Sequence, residues 1–89
     1  MAEQQDIWYL YILETEKNRL YTGITTDVER RFQQHQTGKG ARFTKVYKPI
    51  RIVLTKMVGS RSAASKLEAQ IKSMPRQAKL QWIANNHME

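Results

Sequence analysis

Between Ile7 and Ile24 the side chains alternate with a period of two, and this stretch limits the possible folds more than any other in the chain. Trp8, Leu10 and Ile12 fall on one face of an extended segment, and Ile7, Tyr9, Tyr11 and Leu13 fall on the other. β-Branched and aromatic residues are dense, as strands favour, and both faces are apolar, so a strand here needs cover on both sides. The run breaks at Glu14, Thr15, Glu16, Lys17 and Asn18. Asparagine tolerates the left-handed conformation of a hairpin turn, which makes Leu20–Ile24 the returning strand.

A helix is predicted next, from about Asp27 to Gln36. Thr26 and Glu29 have the spacing of a capping box, and Asp27 sets negative charge in the first turn. At about 100° per residue Val28 and Phe32 share a stripe, Arg31 and His35 lie within about 60° of it, and Arg30 points nearly opposite. Arg31 is therefore the inward arginine, one turn before His35. Such a pair beside two tyrosine-bearing strands is suited to binding an anion. The competing reading pairs Arg31 with an acid on a neighbouring strand and leaves His35 as a helix-end cap.

From Thr37 to Lys45 the chain reads as a basic loop in which Gly38 and Gly40 flank Lys39. Lys39, Arg42, Lys45 and Lys48 are candidate contacts to nucleic acid, with Phe43 or Tyr47 able to stack on a base. The alternative roles are a helix C-cap for Gly38 and a core anchor for Phe43. The Walker spacing is missing, which argues against a nucleotide cofactor. Pro49 marks the entrance of a third strand, Ile50–Met57, with Ile50, Ile52 and Leu54 on one face and Val53 on the other. Ser60 or Ser62 then caps a helix whose apolar stripe is Ala64, Leu67, Ile71 and Met74. Pro75 ends that helix or opens another, and residues 77–85 form a short closing helix around Trp82 and Ile83.

The expected architecture is a single small α+β domain over residues 6–85, a three-stranded antiparallel sheet flanked by two to three helices, with flexible ends at 1–5 and 86–89. His87 is given no role. There are no cysteines and only two histidines among the 89 residues, so disulfides, thiolate chemistry and cysteine-zinc sites are excluded and an all-histidine metal cage is disfavoured. No apolar run approaches the length of a membrane span and no signal pattern opens the chain, so the expected location is cytoplasmic.

The net charge of +7 is unevenly placed. Ten basic residues and no acidic one lie between Arg30 and Leu67, while six of the eight acids precede Arg30. That asymmetry suits a phosphate backbone, so the partner expected is nucleic acid. Glu68 stands alone, the single acid between Glu29 and Glu89. It has two readings: an ion pair with Lys72 one turn on, or a carboxylate holding one Mg²⁺ beside a phosphate.

Taken together, these residues resemble the GIY-YIG nuclease family, in particular its small stand-alone members. The first signature matches at Tyr9-Leu10-Tyr11-Ile12-Leu13 and the second at Tyr21-Thr22-Gly23, followed by Arg31, His35 and Glu68. Tyr9 replaces the name-giving glycine and Thr22 the middle isoleucine. Leu80 stands where larger relatives often carry an asparagine. The resemblance implies the same three-stranded fold and a metal-dependent hydrolysis of phosphodiester bonds, with DNA the expected substrate and DNA repair or processing the expected setting.

By that resemblance Tyr11 or Tyr21 is the base or positions the water, and Arg31 stabilises the transition-state charge. His35 orients Tyr11 or binds phosphate. Glu68 holds Mg²⁺, with Mn²⁺ as a substitute. Because a phenol has an ordinary pKa near 10, its use as a base calls for nearby positive charge. Gly23 has two readings, close approach of substrate to backbone or a strand kink. Two other functions remain open on the sequence: a non-catalytic DNA-binding module of the same fold, and a protein-interaction domain with a basic face.

Overall fold

The computed structural model describes residues 6–86. Of the loose ends expected at 1–5 and 86–89, residues 1–5 and 87–89, His87 with them, lie outside those residues, while Asn86 is instead the last residue of a helix. Three strands form one antiparallel sheet: β1 (Trp8–Thr15), β2 (Arg19–Thr25) and β3 (Pro49–Gly59), in the order β2-β1-β3. Four helices accompany it: α1 (Val28–Gln36), α2 (Arg42–Val46), α3 (Arg61–Lys72) and α4 (Arg76–Asn86).

β1 is the central strand and both its faces are covered. Leu10, Tyr11, Ile12 and Leu13 are all buried, as two apolar faces require. On one face Leu10 and Ile12 join Leu54 of β3 and Ile71 of α3, with Leu67, Met74, Trp82 and Ile83 packed around them. α3 and α4 thus supply the apolar cover, and the stripe expected on α3 is the one buried. On the other face Tyr11 meets α1.

The β1–β2 hairpin closes through a short turn at Glu16–Asn18, where Lys17 and Asn18 have φ of 61° and 60°. Asn18 is the left-handed residue that the sequence indicates. Lys17 shares that conformation, and a side chain there costs on the order of 1 kcal/mol.

Several expectations need correction. α1 is capped by Asp27, whose side chain accepts from the Arg30 N–H, so the cap is one residue later than Thr26. The basic loop contains a helix, α2, that its five residues are too few to announce by periodicity. Gly38, with φ of 81°, closes α1: its N–H reaches the His35 carbonyl and the Lys39 N–H the Gln34 carbonyl. β3 spans Pro49–Gly59, and its pairing with β1 slips at three places. One slip, opposite Ile12 and Leu13, puts Val53 against the same core as its neighbour Leu54, while Ile50 is exposed. Bulges reverse the parity of a strand, and simple alternation cannot foresee them. Ser60 caps α3 as expected, accepting from the Ala63 N–H.

Thr22 is buried opposite Ile12, and its Oγ1 has no hydrogen-bond partner. A methyl group would fit that position without the cost of an unsatisfied hydroxyl, which is the physical sense of an isoleucine there.

Candidate active site

β1 and β2 bring the two tyrosines together. In their register Tyr11 lies opposite Gly23 and Leu13 opposite Tyr21, so the tyrosines are diagonal neighbours on one face, with ring centroids 6.4 Å apart. The phenol of Tyr11 lies across Gly23. A Cβ at position 23 would overlap the Tyr11 hydroxyl and stand 2.6 Å from Cζ. What approaches this glycine is the protein's own Tyr11, so neither substrate approach nor a strand kink is needed to explain it.

α1 delivers His35 to the same place. His35 is buried, and the Tyr11 hydroxyl is 2.8 Å from its Nε2. On the far side of the ring, Nδ1 is 2.8 Å from Thr44 Oγ1. The single hydroxyl proton of Thr44 goes to the Ala41 carbonyl, 2.8 Å away. Thr44 therefore accepts from His35, the imidazole proton sits on Nδ1, and Nε2 is free to accept from Tyr11. The result is a directed chain, Tyr11 O–H to His35 to Thr44 to Ala41. Gly40 closes the back of the ring: a Cβ there would overlap Nδ1, with Cγ at 2.7 Å and Cε1 at 2.8 Å.

The protonation states agree with that chain. Burial pushes the Tyr11 phenol up to about 12. Tyr21 beside it acts in the same sense, and Arg31 opposes both without prevailing. The positive charge that use of this tyrosine as a base calls for is present in Arg31, but by itself it does not outweigh burial. Burial, with Arg31 adding to it, holds His35 down at about 4. The resting pair is a phenol and a neutral imidazole.

His35 also makes stability depend on pH. Its folded pKa of about 4 lies below its ordinary 6.5, so between those values the unfolded chain holds more protons. The protection is complete above pH 6.5 and is lost as pH falls toward 4. Unfolding midpoints in urea should correspond to roughly 2 kcal/mol less stability at pH 5 than at pH 7. His35→Gln should flatten that slope; a slope that persists unchanged would place its origin elsewhere.

Arg31 is half-buried, and its guanidinium donates to Gln34 Oε1 at 2.9 Å. Its charge acts on both Tyr11 and His35, which places it at the cluster as an unneutralised cation. Among the described residues it has no carboxylate partner, so the strand-acid pairing for Arg31 is not formed. Glu68 comes from α3 and also influences Tyr11. Its Oε2 lies 3.3 Å from Lys72 Nζ, and Lys72 in turn stands 5.7 Å from the centroid of the Tyr21 ring. The Glu68–Lys72 pair therefore forms within the tyrosine cluster, so the two readings of Glu68 are compatible.

The five residues Tyr11, Tyr21, Arg31, His35 and Glu68, from β1, β2, α1 and α3, are thus brought together. Lys39, Arg42, Lys45 and Lys48 are exposed on the segment that follows α1. Phe43 and Tyr47, both half-buried, belong to an aromatic row. Phe43 packs 5.7 Å from Tyr21 and 5.1 Å from Tyr47, and Arg19 covers Tyr47. Leu80 lines a separate hollow with Glu14, Asn18 and Arg76, apart from the cluster. Sequence reasoning missed Thr44 and the role of Gly40. Their contacts to His35 span nine and five positions across the turn that follows α1, and no periodicity signals such a contact.

Comparison with known proteins shows the family to which the chain belongs. The family model of the GIY-YIG catalytic domain matches residues 7–81. The chain is 48% identical over 79 residues to the UPF0213 protein plu4503 of Photorhabdus laumondii, covering 89% of this chain and 74% of that one. It is 46% identical over 77 residues to the UPF0213 protein YhbQ of Escherichia coli, covering 86% and 77%. Among solved structures, the solution NMR structure of EF2693 from E. faecalis superposes with a TM-score of 0.66 at 34% identity, covering 99% of this chain and 94% of that one. The UPF0213 protein BH0048 from Bacillus halodurans gives a TM-score of 0.58 at 40% identity, covering 88% and 83%. With its three-stranded sheet, its paired tyrosines and this match over nearly its whole length, the chain belongs to the GIY-YIG family, among the small members related to the UPF0213 proteins.

Proposed function

We propose that this protein is a metal-dependent nuclease of the cytoplasm that hydrolyses phosphodiester bonds of DNA, in repair or processing. The observation that carries the reading is the Tyr11 hydroxyl donating to a neutral, buried His35 within the field of Arg31. A phenol with a pKa of about 12 is almost wholly protonated at neutral pH, so its anion is too scarce to serve as the base, but as a relay it needs no prior ionisation. It accepts the proton of the attacking water while its own proton passes to His35 Nε2. His35 takes that proton only against burial and Arg31, and the negative charge of a bound phosphate offsets both. Arg31 then stabilises the charge added on the phosphoryl oxygens. Tyr21, packed beside both rings, fixes their positions and limits water access.

Among the described residues no three histidine or acidic side chains gather, so a closed protein cage for a metal is absent. A single carboxylate beside a cluster that attracts phosphate fits Mg²⁺, which keeps most of its water and takes one or two carboxylates plus substrate oxygens. Glu68, one-fifth exposed, would hold it, and Mn²⁺ would substitute. Bound there, the ion supplies positive charge for the leaving oxygen. Lys72, paired with the Glu68 carboxylate at 3.3 Å, orients it.

The test is cleavage of labelled single-stranded, duplex, flapped and branched DNA, and of matching RNA, with Mg²⁺, Mn²⁺ or EDTA. The expected result is metal-dependent cutting of at least one DNA, reduced about a hundredfold in Glu68→Gln. Undiminished cutting in EDTA would overturn the metal dependence. Binding without cutting across the panel would make the protein a non-catalytic DNA-binding module.

A further inference from the structure

Beside the tyrosine cluster lies a second basic feature that the mechanism does not use. A hollow of about 350 Å³ is lined by Arg30 and Arg31 of α1, Arg61 of α3, Trp8 of β1, Gln34 and Asp27. Arg31 faces both places, since it walls the hollow and its charge reaches Tyr11 and His35. Arg61 is held over the Trp8 ring, 5.4 Å from its centroid.

Three features mark the hollow as built for an anion. First, none of the three arginines has an ion-pair partner among the described residues. The one acid at the hollow, Asp27, is engaged in capping α1. Second, Arg61 is the first residue of α3 and Arg30 the third of α1. Cations at helix N-termini oppose the helix dipole: at α3, whose first turn holds no acid, Arg61 raises the potential and costs stability unless an anion is bound, whereas Asp27 and Glu29 partly offset Arg30 at the start of α1. Third, arginines in the other hollow, under the hairpin, are satisfied by the protein itself. Arg51 pairs with Glu14 at 2.7 Å, and Arg76 donates to the Asn18 carbonyl at 2.7 Å and its side chain at 3.2 Å. Around Trp8 no carboxylate among the described residues plays that part: Arg31 donates to the neutral Gln34 amide and Arg61 lies over the Trp8 ring.

We infer that this hollow is a second phosphate subsite, which holds a backbone phosphate of the nucleic acid next to the one undergoing cleavage. The inference rests on the nuclease reading of the tyrosine cluster. Arg31 is shared between the two phosphates, Arg30 and Arg61 belong to the second alone, and Trp8 fixes the Arg61 plane. Because Arg30 and Arg61 act away from the reacting bond, their contribution is uniform binding of the strand, seen in KM and not in kcat.

The experiment is fluorescence anisotropy of a labelled 12-nucleotide DNA with full-length protein in a Tyr11→Phe background, which prevents cutting, over a range of salt. Arg30→Gln with Arg61→Gln is compared with Lys17→Gln with Arg51→Gln, which removes the same charge at the hairpin end. The first pair is expected to weaken binding about tenfold and to lower the slope of log K against log salt by about 1. The control pair should lose less than about threefold. Equal losses in both pairs, or none in the first, would overturn the subsite while leaving the nuclease reading intact. A parent protein that does not bind DNA at all would overturn the nuclease reading itself.

Discussion

Gly40→Ala is expected to lower cleavage about a thousandfold while the protein still folds. The methyl group must enter space occupied by the His35 ring, with Cγ only 2.7 Å from where it would stand. His35 cannot retreat, because it is buried and held at both nitrogens, by Tyr11 and by Thr44. Either the ring tilts and the bond from Tyr11 is lost, or the backbone after α1 moves and carries Thr44 away. Both outcomes break the relay, whose full contribution lies at about 10²–10⁴ in rate. The cost in stability is that of overpacking, about 1–3 kcal/mol. Gly38→Ala is the informative comparison. It places a side chain at a φ of 81° with nothing within 4 Å, so it strains the backbone by about 1 kcal/mol and leaves His35 untouched. Cleavage rates measured beside circular dichroism melts separate the two. A Gly40→Ala protein that cuts like the wild type would show that the position of His35 is not needed.

The contrast between the two glycines shows where the sequence can be read and where it cannot. Gly38 follows the end of an amphipathic run, and its role as a C-cap is legible from that position. Gly40 serves a residue five positions back through a tertiary contact, and composition treats both alike. The same division runs through the site. Tyr11 and Tyr21 share a face because strand alternation and hairpin register are local. Arg31 and His35 turn inward because helix spacing is local too. Thr44, which fixes the imidazole tautomer, sits in a helix too short to leave a periodic trace. Glu68 is ambiguous on spacing alone, since Lys72 lies one turn away. The structure shows that pair formed, inside the tyrosine cluster.

In β3 the failure has a different origin. Nothing between Ile50 and Met57 marks an irregularity, yet the strand slips against β1 three times, because a central strand covered on both faces must be followed around its twist. Parity was therefore lost at Val53 while the existence of the strand was clear. The direction of the Tyr11 pKa was hidden for a related reason. Sequence shows the arginine that would lower it, whereas burial, which prevails, exists only in the folded molecule.

The sharpest test of the relay is a double-mutant cycle. Tyr11→Phe removes the hydroxyl that meets the water, and His35→Gln removes the acceptor behind it. Each alone is expected to reduce the rate about 10³- to 10⁴-fold. If proton transfer runs through the 2.8 Å bond between them, the loss of one leaves the other without a task. The double variant should then be no slower than the worse single variant. Independent roles, with His35 contacting phosphate directly and Tyr11 acting alone, predict losses that multiply toward 10⁶-fold or more. The pH profile adds a second reading of the same question. With His35 neutral down to about pH 4, a relay gives a rate that does not fall between pH 7 and 5 through protonation of this residue. A phosphate contact made by a positively charged His35 would instead strengthen as pH drops. Steady binding in all three variants, measured with the same DNA, confines the comparison to the chemical step, and multiplicative losses there would overturn the relay.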